Sequence, residues 1–182
     1  MRTLIFLFMF LLTTQLFAGD VPGTYPAGIV YGPKAAFQIS APNEWVLDNH
    51  SGITDGQPCV LYPIGESWAK SPTIMYAKIA SPNYPTKSEF IKYTVDFFQN
   101  KDTGFRFRNI EEAKTKEGYQ YTVQEYDRPS YPVYELTAYV QLPGAVAYIV
   151  YSAPKKSMRE TDLVKFKTVL SSMVYRPEYI QK

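Results

Sequence analysis

The chain contains one cysteine, Cys59, and one histidine, His50, among its 182 residues. A single thiol cannot form an internal disulfide, so packing must stabilise the fold. Zinc sites use several cysteine and histidine ligands, which this chain lacks. The loop carboxylates Asp48, Asp55 and Glu66 are too dispersed along the sequence for a calcium-binding loop. The composition therefore predicts no metal site, and we expect no cofactor.

The chain also lacks the short motifs of several large enzyme classes. It contains no Gly-x-Ser-x-Gly elbow, no phosphate-binding Gly-x-x-x-x-Gly-Lys-Ser/Thr loop, no dinucleotide-binding glycine fingerprint and no His-Glu-x-x-His pair. Charge of one sign does not dominate either, since the formal net charge is +2. A near-neutral chain offers no electrostatic reason to expect a nucleic-acid partner.

The chain has only one long apolar run, at its start. Arg2 precedes an apolar core over residues 4–12, and a more polar stretch leads to the small residue Ala18. This layout predicts a secretory signal peptide over residues 1–18. The apolar core is shorter than the roughly 20 residues that cross a bilayer. We therefore expect an exported protein, periplasmic or secreted, with no transmembrane segment in the mature chain.

The remaining 182 − 18 = 164 residues suit one domain with a proper core. Residues 19–27 are rich in glycine and proline, which predicts a flexible N-terminal leader. No repeat, linker or low-complexity tract divides the rest of the chain. We expect a single α+β domain over residues 28–182.

Short apolar or alternating segments, many of them with tyrosine, predict a series of strands. Pro143 and Gly144 form a tight turn between the last two, so these two strands must be antiparallel. Residues 41–45 are expected to end the second strand. Residues 101–117 mix both charge signs, which is typical of a solvated sheet edge that charge protects from edge-to-edge pairing. The predicted strands cover residues 28–32, 36–40, 59–63, 73–80, 119–126, 133–142 and 145–153.

Two capping boxes predict two helices. Thr86 and Glu89 form the first Thr-x-x-Glu box, and Ser157 and Glu160 form the second. Each helix carries one apolar stripe that must lie against another layer. We predict an antiparallel β-sheet meander packed with these two main helices. The predicted stripes are Phe90, Ile91, Thr94, Phe97 and Phe98 in the first helix, and Leu163, Phe166, Leu170 and Met173 in the second.

Three segments in this order resemble the PsbP/Mog-like superfamily, which includes DcrB-like envelope proteins. Residues 37–45 resemble the family's opening strand, which ends in a Pro-x-x-Trp turn, here Pro42 and Trp45. Residues 119–153 resemble its meander, and residues 170–175 resemble the end of its last helix. The resemblance spans about residues 30–175. It implies an α/β/α sandwich in an exported bacterial protein with a binding or accessory role. It implies no particular activity.

The loop block over residues 48–68 is less typical of that superfamily and contains both Cys59 and His50. A thiolate nucleophile needs a nearby base. His50 could serve as that base, with Asp48 or Asp55 orienting it. The alternative interpretation is structural, because Cys59 opens an apolar strand and free cysteines are commonly buried.

Four aromatic residues cluster around the third and fourth predicted strands: Tyr62, Trp68, Tyr76 and Tyr84. Together with Trp45 they could line a ligand groove or a partner surface, where tyrosine and tryptophan are enriched. Of these residues we expect Trp45, Tyr62, Trp68 and Tyr76 to make the contacts. Ordinary cross-strand packing is the alternative interpretation.

The sequence thus predicts an exported, non-enzymatic binding or accessory protein of the cell envelope, with an envelope protein or a small apolar ligand as its partner. Peripheral membrane association fits this prediction. Two alternatives stay open. One is a thiol-dependent hydrolase or transferase using Cys59 and His50, and the other is an extrinsic subunit of a membrane complex.

Overall fold

The computed structural model describes residues 24–155 and 160–180. The predicted signal peptide, residues 19–23 of the predicted leader and residues 157–159 of the second capping box lie outside the described residues.

Within those residues the chain forms antiparallel strands, two α-helices and two short 3-10 turns. The helices are α1 (Lys87–Lys101) and α2 (Glu160–Ser171), and the 3-10 turns are Ile53–Asp55 and Pro177–Tyr179. The strands are β1 (Thr24–Tyr25), β2 (Ala27–Tyr31), β3 (Ala36–Ser40), β4 (Trp45–Asp48), β5 (Val60–Pro63), β6 (Ile74–Ile79), β7 (Arg106–Lys114), β8 (Gln120–Asp127), β9 (Val133–Leu142), β10 (Ala145–Pro154) and β11 (Val174–Tyr175).

The strands form two sheets. Eight of them pair in the order β1-β4-β5-β6-β10-β9-β8-β7, and three pair in the order β11-β3-β2. The predicted tight hairpin joins β9 and β10 in register from Ala145↔Leu142 to Pro154↔Val133. Gly144 takes a positive φ of 69° in this turn, a conformation that glycine adopts without steric cost.

The large sheet separates two apolar layers. On one face lies α1, whose Phe90 and Val95 pack with Tyr126, Tyr139 and Val146 of the sheet. The other face packs against β2, β3 and α2 through residues such as Phe37, Ile39, Phe166, Val169 and Leu170. The predicted α+β class, with antiparallel strands and two helices, is confirmed.

Two local predictions were wrong. Residues 45–48 were not predicted as a strand, yet they form β4 of the large sheet. The chain reaches this strand through a turn at Pro42, in which the backbone N–H of Trp45 donates to Pro42 O at 3.1 Å. Phe97 was predicted on the buried stripe of α1 but is 39% exposed, and Val95 is buried instead. Because consecutive helical residues differ in direction by about 100°, the rings of Phe97 and Phe98 cannot share one narrow face.

We expect Thr86→Ala to lower the free energy of unfolding by about 1 kcal/mol. Thr86 caps α1 through a reciprocal capping box, in which its backbone N–H donates to Glu89 Oε2 at 3.1 Å. Chemical denaturation measures the change. The exposed Thr103→Ala is the matched control, and equal effects of the two substitutions would contradict the capping role.

Candidate functional site

Cys59 lies immediately before β5 and is fully buried. Burial, with the nearby Asp48 carboxylate, raises the pKa of its thiol to about 12, so the thiolate is scarcely populated at neutral pH. His50 is exposed, and within the described residues no hydrogen bond joins it to Cys59. This geometry argues against a thiol nucleophile at Cys59 and favours the structural interpretation.

Asp48 organises the loop rather than orienting His50 for catalysis. Its carboxylate accepts the backbone N–H of His50 at 2.7 Å and of Ser51 at 2.9 Å, and the Tyr62 hydroxyl at 2.8 Å. Burial alone would raise the pKa of Asp48, but these hydrogen bonds, with that of the Ser51 hydroxyl, together lower it below its usual value. The loop then folds over β5, where the buried Gly52 packs against Val60. A Cβ atom added at position 52 would lie 2.5 Å from Val60 Cγ1.

The four aromatic residues predicted to bind a partner do not form one surface. Trp45 is 5% exposed and packs in the core on the α2 side of the sheet. Tyr62 is 4% exposed and is held by Asp48. Trp68 is half-buried in a loop and donates from Nε1 to Asp55 at 2.7 Å. Tyr76 lines a cavity between α1 and the large sheet.

That cavity lies between α1 and the large sheet and has a volume of about 150 Å³. We call it the α1 cavity. Its walls are largely aromatic, with two threonines, Val150 and one carboxylate, Glu135. The aromatic lining residues are Tyr76, Phe90, Phe98, Tyr126, Tyr139 and Tyr148.

Hydrogen bonds fix two of the tyrosines. The hydroxyls of Tyr126 and Tyr139 contact each other, and Tyr126 also donates to Gln124 Oε1 at 2.7 Å. Gln124 in turn donates to Asn109 of β7 at 2.8 Å. Burial raises the pKa of Tyr139 and of Tyr148 to about 12. All of these phenols are therefore neutral at physiological pH.

Glu135 is the buried charge of the α1 cavity. It is 9% exposed, and its nearest cation is the Arg128 guanidinium, whose Nη1 lies 3.8 Å from Glu135 Oε2. Arg128 is shared, because its Nε also lies 3.9 Å from the buried carboxylate of Asp102. Burial raises the pKa of Glu135, and Arg128 only partly offsets this. A carboxylate so placed lacks the compensation that buried charges normally have.

A row of aromatic rings runs along α1 to the neighbouring sheet edge. It consists of Tyr84, Tyr93, Phe97, Phe98, Phe105 and Phe107, with successive ring centroids 4.4, 6.2, 5.5, 5.5 and 6.1 Å apart. We call it the aromatic row. Three of its rings are well exposed, Tyr93 at 42%, Phe97 at 39% and Phe107 at 43%. Contiguous exposed aromatic surface marks a contact site more often than isolated residues do.

Cations border the aromatic row. Lys101 Nζ lies 4.4 Å from the Phe97 ring centroid, and the Arg128 guanidinium lies 4.4 Å from that of Phe98 and 4.7 Å from that of Tyr131. Such cation–π contacts hold the rings in place. Sequence reasoning missed this surface because it assigned Phe97 to the core and overlooked Tyr93, although the i, i+4 spacing of Tyr93 and Phe97 was a signal that could have revealed it.

The described residues contain no group of three or more His, Cys, Asp and Glu side chains that could hold a metal ion. Nor does this part of the chain contain a helix that is long and apolar enough to cross a membrane.

The fold is similar to that of a known protein. The solution structure of cyanobacterial PsbP (CyanoP) from Synechocystis sp. PCC 6803 superposes with a TM-score of 0.50 at 17% sequence identity. The match covers 87% of this chain and 96% of that one. No family model matches the chain, and no curated protein matches it in sequence. The similarity supports the predicted PsbP-like fold. The DcrB-like relationship and export stay predictions.

We expect Asp48→Ala to lower the free energy of unfolding by roughly 2–3 kcal/mol, because it removes several hydrogen bonds to one charged group. Since the pKa of Asp48 is lower in the folded state, its contribution is present above a pH of about 4 and is lost as the pH falls through the folded-state pKa. Urea denaturation at several pH values measures both effects. The exposed Asp96→Ala should cost no more than about 0.5 kcal/mol, and an equal loss in both variants would contradict the role of Asp48.

We expect Glu135→Gln to raise the free energy of unfolding at pH 7 by on the order of 1 kcal/mol, because it removes a poorly compensated buried charge. The raised pKa of Glu135 means that the wild type loses stability as the pH rises above about 4.5. The difference between wild type and variant should therefore close below that pH.

Denaturation curves from pH 4 to pH 8 test the expectation for Glu135. The matched control is Glu125→Gln, since Glu125 forms a surface ion pair with Arg108 at 2.6 Å and its loss should cost about 0.5–1 kcal/mol. A less stable Glu135→Gln protein at pH 7 would show that Arg128 compensates Glu135 fully.

Proposed function

We propose that the protein is an exported, non-enzymatic accessory protein of the cell envelope that docks on a protein partner through the aromatic row. The main support for this docking surface is that three rings of the aromatic row, Tyr93, Phe97 and Phe107, are well exposed. Export rests on the sequence layout of residues 1–18 alone.

The composition of the row supports a protein contact. Tyrosine, phenylalanine and arginine supply much of the binding energy at protein interfaces. The rings of the row already pack against one another, so they lose little freedom on docking. The charged groups around it are mixed in sign, as in the ion pair between Lys92 and Asp96 at 2.6 Å. A surface of this kind selects its partner by shape and aromatic contacts more than by net charge.

The fold supports an accessory role without naming the partner. A shared fold does not specify function, so the function must be argued from the site. In this chain the one nucleophilic thiol is buried, whereas the aromatic row is open to a partner. The predicted extrinsic subunit of a membrane complex is one form that such a role takes.

The test places a photoreactive p-benzoylphenylalanine at position 93 in cells of the native host. We expect one dominant cross-linked partner from position 93 and none from position 31. Tyr31 is even more exposed, at 56% against 42% for Tyr93, but lies on the three-stranded sheet. The double variant Tyr93→Ser, Phe97→Ser should reduce recovery of that partner roughly tenfold or more.

The control variant Tyr31→Ser should leave recovery of the partner unchanged. Circular dichroism and thermal melting of each purified variant confirm that it is folded. Undiminished recovery of the partner by a folded Tyr93→Ser, Phe97→Ser protein would rule out the aromatic row as the docking surface.

A further inference from the structure

The α1 cavity combines aromatic walls with a single carboxyl group. Among the described residues that line it, Glu135 is the one acidic side chain, and none is a lysine or an arginine. Its tyrosines are neutral because burial raises the pKa of each, as for Tyr76. When Glu135 is ionised, it is therefore the one charge in the cavity wall.

The carboxylate of Glu135 has room for a second cation. Arg128 approaches it only to 3.8 Å, beyond hydrogen-bond distance, and is shared with Asp102. Within the described residues, no hydrogen bond to the Glu135 carboxylate is found. A buried carboxylate with so little compensation is stabilised by any cation that reaches it.

The aromatic lining of the cavity favours an organic cation over a bare metal ion. Phe90 lies 5.1 Å from Tyr148 and 5.7 Å from Tyr139, ring centroid to ring centroid, and all three rings line the cavity together with Glu135. Aromatic faces attract alkylammonium ions through cation–π contacts, most strongly where water is excluded. Metal ions need several oxygen, nitrogen or sulfur ligands instead.

The volume limits the size of such a cation. A cavity of about 150 Å³ holds about five water molecules at roughly 30 Å³ each. That space fits a small alkylammonium group.

We propose that the α1 cavity is a binding site for a small alkylammonium ion, with the cationic group facing Glu135 and the alkyl groups against the rings of Phe90, Tyr139 and Tyr148. This site is a cavity between α1 and the sheet and differs from the exposed docking surface, although Phe98 is part of both.

The test titrates the folded protein with tetramethylammonium chloride and follows backbone amide shifts of α1 and β9 by NMR, with sodium chloride added to hold ionic strength constant. We expect saturable shifts at these elements. Tert-butanol, a neutral molecule of similar size, should produce much weaker shifts because it cannot compensate Glu135.

Two variants make the test specific. Glu135→Gln should weaken tetramethylammonium binding roughly tenfold or more, and Tyr148→Leu should weaken it several-fold while keeping the charge. Glu125→Gln, on the opposite face of the sheet, should bind like the wild type. The proposal is overturned if sodium chloride reproduces the shifts, if tert-butanol binds equally well, or if the folded Glu135→Gln and Tyr148→Leu proteins retain wild-type affinity.

Discussion

One short helix has to cover one face of an eight-stranded sheet. The 15 residues of α1 span about 22 Å, whereas eight strands side by side span about 34 Å. The opposite face has both α2 and a three-stranded sheet to cover it. On the α1 side, large side chains fill the space that the helix leaves uncovered. These are tyrosines of β6, β8, β9 and β10, which point toward the helix. The α1 cavity and the aromatic row both result from this incomplete cover.

The same constraint accounts for the polar groups on that face. Tyrosine fills space with its ring and can still satisfy its hydroxyl, as Tyr126 and Tyr139 do with each other and with Gln124. Glu135, Thr137 and Tyr139 alternate along β9 with the apolar residues Leu136, Ala138 and Val140, which enter the well-packed core on the other side. The pattern is that of a half-solvated strand, although a helix covers it. Glu135 is therefore buried because α1 covers this face of the sheet, and not because it forms a close ion pair.

Local signals in the sequence predicted the parts of the fold that local chemistry determines. The Thr86–Glu89 capping box begins α1, and Pro143 with Gly144 joins β9 to β10, because both depend on neighbours within a few residues. The division of strands between two sheets depends on long-range contacts, so the return of residues 45–48 to the large sheet as β4 was missed. Glu135 was missed for the same reason. Within β9 it occupies a position where solvent would be expected, and only the placement of α1 buries it.

The PsbP-like fold explains why the chain has this architecture but leaves the sites to its own residues. At 17% identity, the shared framework consists of strands and helices rather than particular side chains. In this chain two features meet on α1. Phe98 lines the cavity and also contacts Phe97 and Phe105 of the aromatic row, with ring centroids 5.5 Å apart in both cases. Phe90 lines the cavity and stacks on Tyr93 at 6.2 Å.

Because Phe98 belongs to both sites, and Phe90 lines the cavity and stacks on Tyr93 of the aromatic row, a ligand in the cavity would influence docking through these two rings. Such coupling is reciprocal, so a partner bound to the aromatic row would alter affinity in the cavity by the same factor. The rings of Phe90 and Phe98 are thus the physical link through which an occupied cavity and a docked partner would communicate.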